Sequence, residues 1–269
     1  MHMNSPAFVA NIAIIVSLMA LASAVEILLP LFGRGEAGKG RRVANLSLTA
    51  LAFALNWILT SLTATVALGL SVKPTSVFAK AALPLAVQIA LTVLILDFTY
   101  GYVSHALMHK IPILWRFHRV HHSDPFVDVT TSFRNHPLEG LWRFLFMMVP
   151  AWTLGLPAAG IVTFRLISTV NGVLEHANVR LWRPLDRVVS RIWCTPNMHK
   201  VHHSSEQNQT DSNYGNILSL YDRAFGTFTD TGEAYRVAYG LEQTDSKEVR
   251  SFLGLLAVPF ERVRKVSPH

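Results

Sequence analysis

Imidazole crowds the middle of this 269-residue chain. The hexapeptide His-Arg-Val-His-His-Ser occupies 118–123, and His-Lys-Val-His-His-Ser occupies 199–204, with 81 positions between their starts. His105, His109, His136 and His176 lie before and between the two copies, so ten of the twelve histidines fall within 105–203. Only His2 and His269 lie outside, at the two ends. Imidazole is the commonest metal-binding side chain and suits iron and zinc alike. Two clustered copies suggest two metals, each held by several nitrogens.

The spacing supports this. His105 and His109 form an i,i+4 pair, which on a helix shares one face. His118 and His122 repeat that spacing with His121 beside them, and His199, His202 and His203 do so again. Asp97 and Gly101 continue the ladder of His105 and His109 backwards, making Asp97 a candidate acceptor for a ligand imidazole or a helix-end residue. The activating glutamate of the zinc-hydrolase pattern His-Glu-x-x-His is absent, and so are the Glu-x-x-His pairs of carboxylate di-iron bundles. Eight or more histidines are too many for one zinc ion. Neutral imidazoles leave the charge of a metal uncancelled, so an oxidised pair held this way could take hydrogen from an unactivated C–H bond.

The elements that must position these groups are apolar. The chain is 51% hydrophobic and 15% charged, against about 25% charged in ordinary soluble domains. Residues 7–32 contain one charged residue, Glu26; 43–72 contain none, and neither do 81–96. These lengths predict three membrane-spanning helices. The small residues at 20–24 resemble a signal cleavage site, but no Lys or Arg precedes the first apolar run, and it is long for a signal; it is read as a span. Residues 141–175 are apolar again but broken by Pro150, Gly155, Pro157 and Gly160. Both ends must lie on one side if the histidines share a site, which predicts a hairpin dipping into the bilayer, with arms at 141–155 and 158–175. Arg165 in its second arm must snorkel or pair.

The fold expected is thus an all-α integral membrane bundle of three to four spans plus this hairpin, under a cytosolic histidine-rich cap. It divides into transmembrane helices at 1–104, a two-metal region at 105–232 and a tail at 233–269. Lone Cys194 excludes an internal disulfide and a multi-cysteine zinc site. The net charge of +7 flanks apolar segments, as a membrane protein requires, so lipid headgroups are favoured over nucleic acid. Arg34, Lys39, Arg41 and Arg42 follow the first span; Lys110, Arg116 and Arg119 follow the third; Arg180, Arg183, Arg187, Arg191 and Lys200 come later. The positive-inside rule then puts the clustered histidines on the cytoplasmic side. Residues 184–193 are expected to form an amphipathic helix with an arginine stripe, 205–232 loops, and 246–265 an interfacial helix carrying Phe252, Leu255, Leu256 and Phe260 on one side.

With these motifs the sequence resembles the fatty acid hydroxylase and sterol desaturase superfamily of integral-membrane di-iron oxygenases. The likeness rests on His-Ala-Leu-Met-His at 105–109, Trp-Arg-Phe-His-Arg-Val-His-His-Ser at 115–123, Asn-His-Pro-Leu-Glu at 135–139 and Glu-His-Ala-Asn-Val at 175–179. It continues through Asn-Met-His-Lys-Val-His-His-Ser at 197–204, Asp-Ser-Asn-Tyr-Gly at 211–215 and Tyr-Asp-Arg-Ala-Phe-Gly-Thr at 221–227, and covers about 95–228. It implies ligands at His105, His109, His118, His121, His122, His199, His202 and His203. His176 matches a further family motif, although Arg180 stands where a second His or Asn is usual; Asn178 is a substitute ligand or hydrogen-bond partner. His136 is expected as a ligand or near-ligand. Glu139, Glu175, Asp211 and Asp222 are candidates to orient imidazoles, as carboxylates around metal sites do.

The resemblance implies two iron ions (or zinc in their place in a purified sample), O2 and a lipid substrate that is hydroxylated or desaturated. Trp115, Phe117, Phe126, Phe133 and Trp142 are candidates to line a passage for it. The segment Gly33-Arg34-Gly35-Glu36-Ala37-Gly38 fits Gly-x-Gly-x-x-Gly, but follows a membrane helix instead of a strand, and is read as a basic loop. With no nucleotide site, electrons are expected from a separate donor protein. A histidine-rich metal transporter and a non-catalytic metal-binding homologue are the competing readings; the first two apolar runs carry no histidine, which weighs against transport.

Overall fold

The computed structural model of the chain describes residues 6–33, 40–71, 77–241 and 248–261. The glycine-rich segment at 34–39, apart from Gly33, and both terminal histidines lie outside these residues. Helix accounts for 72% of the fold and no strand occurs among the described residues, as the apolar periodicity requires.

Helices α1 (Pro6–Leu28) and α2 (Arg41–Ser71) come first, followed by a short turn, α3 (Val77–Lys80). Helix α4 (Leu85–Leu96) then runs through a π-helical stretch, Asp97–Val103, into α5 (Ser104–Lys110). This continuous 26-residue rod and the first 19 residues of α2, Arg41–Leu59, are the two helices long and apolar enough to cross a bilayer. Only 24% of the α2 window and 28% of the α4–α5 window are buried, so most of their apolar surface faces outward. Three spans were expected; in α1 the apolar stretch Ile12–Leu28 is shorter than the other two.

Proline sets the corners. Ile111, before Pro112, is extended, because the proline ring disfavours helical backbone in its predecessor. Pro112 then opens α6 (Pro112–His122), which folds back along α5. Pro137 starts α7 (Pro137–Leu154), and Gly155 ends it in the left-handed conformation at φ 67°. Leu156 and Pro157 complete the corner into α8 (Ala158–His176), so the apolar run breaks into two helical arms where its glycines and prolines stand. Its arms expose Leu141, Leu145, Val149, Trp152, Val162 and Leu166, a lipid-compatible outer surface. The inner core of this bundle joins Leu96, Tyr100, Met147, Ala151, Ile161, Phe164 and Ile217. The short helices α9 (Arg183–Val189), α10 (Pro196–His202), α11 (Gln207–Thr210) and α12 (Leu220–Ala224) build the cap, and α11 and α12 interrupt the loop expected at 205–232.

Two sequence expectations change here. The tail is no free interfacial helix: α13 (Phe252–Ala257) and the turn Val258–Phe260 pack on α2 and α6, with Val249, Leu255 and Val258 buried beside Leu48 and Val120. Phe260 alone of the expected apolar side is largely exposed. Nor are all the basic residues headgroup contacts, since Arg41, Arg119 and Lys200 are buried.

Close packing of α8 on α4 depends on Gly160, where a Cβ would lie 2.6 Å from Thr92 Cβ. Small residues of this kind let membrane helices approach. Gly160→Val is expected to cost about 1–3 kcal/mol by overpacking and to lower the unfolding temperature measured in detergent.

Candidate metal centre

Nine histidines from four elements converge in two adjoining groups. His105, His109, His118, His122 and His202 form one; His121, His176, His199 and His203 form the other; within each group the inward nitrogens lie within 4.8 Å of one another. Helix α5 supplies His105 and His109, and the reversal at Pro112 lays His118, His121 and His122 against them. The end of α8 supplies His176, and α10 supplies His199 and His202, with His203 at its C-cap. The groups touch where the rings of His122 and His203 stack at 4.6 Å.

The outer nitrogens explain how the inner ones are set. His105 Nδ1 donates to Tyr214 O at 2.8 Å, His202 Nδ1 to Ser212 O at 2.7 Å and His176 Nδ1 to Gly172 O at 2.6 Å. His109 Nδ1 donates to Asp211 Oδ1 at 3.2 Å, and Glu139 Oε2 stands 3.1 Å from His118 Nδ1. His122 Nδ1 lies 3.3 Å from Thr210 Oγ1, whose own proton goes to His202 O. A carbonyl or carboxylate at Nδ1 places the proton there and leaves Nε2 as a bare lone pair. These lone pairs face each other: His105 Nε2 and His118 Nε2 are 3.0 Å apart, and His122 Nε2 is 3.2 Å from His118 Nε2. In the second group His176 Nε2 lies 3.0 Å from both His121 Nε2 and His199 Nε2, and 3.2 Å from His203 Nε2.

Opposed lone pairs at this distance repel unless a cation lies between them. Metal–nitrogen bonds of about 2.1 Å at right angles put neighbouring nitrogens about 3 Å apart, so the residues present fit a bound metal in each group. Burial, reinforced by the neighbouring imidazoles, holds His118, His121, His122, His199 and His203 well below the usual histidine range, and burial pushes His202 down to about 4. They are neutral at pH 7, the form that ligates metal.

The other predicted residues divide. Glu139 reaches His118 and also accepts from Arg143 Nε at 3.0 Å. Asp211 reaches His109. Asp222 acts one step further out, accepting from the Tyr214 and Gly215 amides at 2.8 Å and so fixing the carbonyl that His105 uses. Asp97 likewise holds the Ile217 and Leu218 amides at 3.0 Å and touches no imidazole. Asn178 is no ligand here: its side chain brackets Phe32, accepting from N at 3.1 Å and donating to O at 2.9 Å. His136 joins neither group. It caps α7, accepting from Leu138 N at 3.2 Å, with its ring against Phe117 and Phe260; the turn into Pro137 directs it towards the tail. Glu175 is buried beside the centre, and its Oε1 has no hydrogen-bond partner. Of the aromatic candidates, Trp115 packs on His109 and His122, and Phe133 lines the cavity beside the centre.

Sequence reasoning missed a buried polar frame. Arg41 Nη1 donates to both Asp124 oxygens at 3.0 and 2.9 Å, and Arg41 also pairs with Asp128. Asn45 Nδ2 reaches Asp124 Oδ2 at 2.9 Å, and Arg134 donates to Asn45 Oδ1 at 2.6 Å and to Val120 O at 2.9 Å. This frame fastens the end of α6, with its three histidines, to α2. Lys200 Nζ donates to His176 O at 2.6 Å, a cation on the carbonyl end of α8. Glu26, the one charge of α1, accepts from the Val129 and Asn178 amides at 2.8 Å. Interrupted apolar runs and acids placed just after the histidine hexapeptide were the available signals.

Because the folded histidines hold fewer protons than an unfolded chain, metal-free protein loses stability as pH falls from about 6.5 towards 4. A thermal unfolding series of metal-free protein across pH 7.5–4.5 is expected to show the midpoint dropping through that window; a flat profile contradicts the neutral cluster.

Residues 89–227, just over half of the chain, match the family model for fatty acid hydroxylase. An ornithine lipid hydroxylase of Rhizobium tropici is 32% identical over 180 residues, covering 66% of this chain and 52% of the relative. An alkylglycerol monooxygenase of Xenopus tropicalis is 30% identical, covering 56% of this chain and 32% of the relative. A cholesterol 25-hydroxylase-like protein of Danio rerio is 29% identical, covering 52% and 55%. The chain thus spans about half the length or less of these curated relatives, and no solved structure matches it. The matched stretch runs from α4 to the start of the turn after α12 and contains all nine clustered histidines: this chain belongs to the fatty acid hydroxylase family.

Proposed function

We infer that the chain is a membrane-bound, two-iron oxygenase that hydroxylates a C–H bond of a lipid, with desaturation as the close variant. The observation that carries this reading is the set of nine histidines, in groups of five and four, with ring nitrogens turned inward on one another. Bound iron would supply O2 activation, with electrons from a separate donor protein. The named relatives, a lipid hydroxylase and a monooxygenase among them, act in the same chemical class.

The chain's own residues do the rest. Tyr214 O, Ser212 O, Gly172 O and Asp211 accept from the outer nitrogens of four of these imidazoles, so their inner lone pairs stay aimed without reorganisation. Burial of all but His109 of these rings excludes bulk water from the centre. The outward apolar faces of α2, α4, α7 and α8 give a lipid direct access from the bilayer. We assign α1, α2 and α4–α5 to spans, α7–α8 to the dipping hairpin, and the centre to the cytoplasmic face, by the basic residues that flank it. The ligand set comprises the nine clustered histidines and omits His136.

Protein prepared without chelators and reconstituted with iron is expected to hold two metal ions per chain by elemental analysis. His202→Ala and His199→Ala should each lower that number, whereas His136→Ala should leave it at two. Lipid mass spectrometry of cells grown under 18O2 should find a labelled hydroxylated lipid with wild type and none with His202→Ala. Identical lipid profiles would remove the oxygenase reading.

A further inference from the structure

A cavity of about 100 Å³ adjoins the metal centre, and its wall is unlike that of a passage for a hydrocarbon tail. His105, His121, His176 and His199 form one side of it. Arg143, Arg165 and Tyr100 also line it, with Asn135, Asn216 and Glu175. The two guanidinium groups converge on one ring, lying 5.7 and 5.2 Å from the Tyr100 centroid. Arg143 is tied by its Nε to Glu139. Arg165 donates a hydrogen bond to the Tyr100 hydroxyl and, among the described residues, has no carboxylate within ion-pair distance.

Arg165 sits near the middle of α8, in the hairpin. It is half-buried, on the flank between exposed Val162 and Leu166 and buried Ile161, Phe164 and Ser168, and its guanidinium lies over the Tyr100 ring on the cavity wall. A charge held at such a position without a counter-ion is costly and marks a function. Guanidinium groups are the side chains that grip carboxylate and phosphate oxygens through paired donors. Glu139 already serves Arg143 and His118, so it cannot neutralise both arginines. Glu175 is the carboxylate on the wall itself, and its Oε1 makes no hydrogen bond to either arginine.

We propose that Arg165, with Arg143 and the Tyr100 hydroxyl, binds the acidic head of the lipid substrate, a carboxylate or a phosphate, so that the carbon offered to the metals lies within a few bonds of that head. This rests on the lipid hydroxylase reading and narrows it. The small volume shared by arginines and histidines leaves no room for a long chain between head and metal. The tail must leave towards the bilayer. A neutral sterol or glyceride head would leave Arg165 unpaired.

Native mass spectrometry of the iron-loaded full chain in neutral detergent tests this. The probes are a long-chain fatty acid, an N-acyl amino acid, a phosphatidic acid and a monoacylglycerol of matched chain length. At least one acidic probe is expected to bind tenfold or more tighter than the monoacylglycerol, and the fatty acid and phosphatidic acid arms tell carboxylate from phosphate. Arg165→Gln should cut that preference tenfold or more and Arg165→Lys should restore part of it, both with two metals retained. Equal binding of the neutral probe to wild type overturns the proposal without any variant, and so does an Arg165→Gln protein that keeps the preference. Under 18O2 the label should fall within about three carbons of the head; label at the far end of the chain also overturns it. Acid-selective binding with no labelled product would instead sink the hydroxylase reading and leave the anion site standing.

Discussion

Unprotonated imidazole nitrogens pointing at one another, 3.0–3.2 Å apart and out of reach of water, are the constraint around which this molecule is organised. Such an arrangement is unfavourable by itself. Each ring has lost its hydration, and its lone pair meets another lone pair. Binding of cations turns the same geometry into a strong attraction, so folding energy is spent holding ligands where a metal will be gained. The two hexapeptides achieve this by a simple device. One helical turn separates the first and last histidine of the triplet, and the histidine between them turns towards the other group. His118 and His122 therefore serve one group while His121 serves the other, and His202 and His203 divide in the same way.

Holding lone pairs together demands a rigid frame, and the frame is polar. Asp124, Asp128, Asn45, Arg41 and Arg134 form a buried lattice between α2 and the end of α6. Asp222 and Asp97 pin the loop at 214–218, and Lys200 clasps the end of α8. Buried charges contribute little net stability after desolvation, but they are intolerant of displacement, since an unpaired partner is costly. That intolerance is useful where ligand positions must hold to fractions of an ångström. The apolar exteriors of the helices meanwhile suit lipid, so the polar frame lies inside an oily exterior.

Much of the centre was legible in the sequence. Periodic spacing announced His105 with His109, and both hexapeptides, because i,i+4 geometry is local. The hairpin was legible because prolines and glycines break helices wherever they stand. Misreadings had a common source. His136 stands in a motif beside a glutamate that does reach the centre, yet the proline that follows turns its ring towards the tail. Lys200 and Arg41 looked like headgroup contacts because charge alone does not reveal which side of a helix is covered. Arg165 was legible as needing a partner, but the cavity wall it joins was set by the packing of α8 on α4 and α2.

The sequence by itself determined that the chain is helical and apolar, and that it bears enough regularly spaced imidazole for two metals. Those properties follow from composition and short-range periodicity. Tertiary structure alone decided the division of nine histidines into five and four, which acids touch a ring, and that two arginines share a cavity with the centre. The reason is physical: a side chain's partner across a helix interface depends on crossing angles and on turns tens of residues away. No local pattern encodes these.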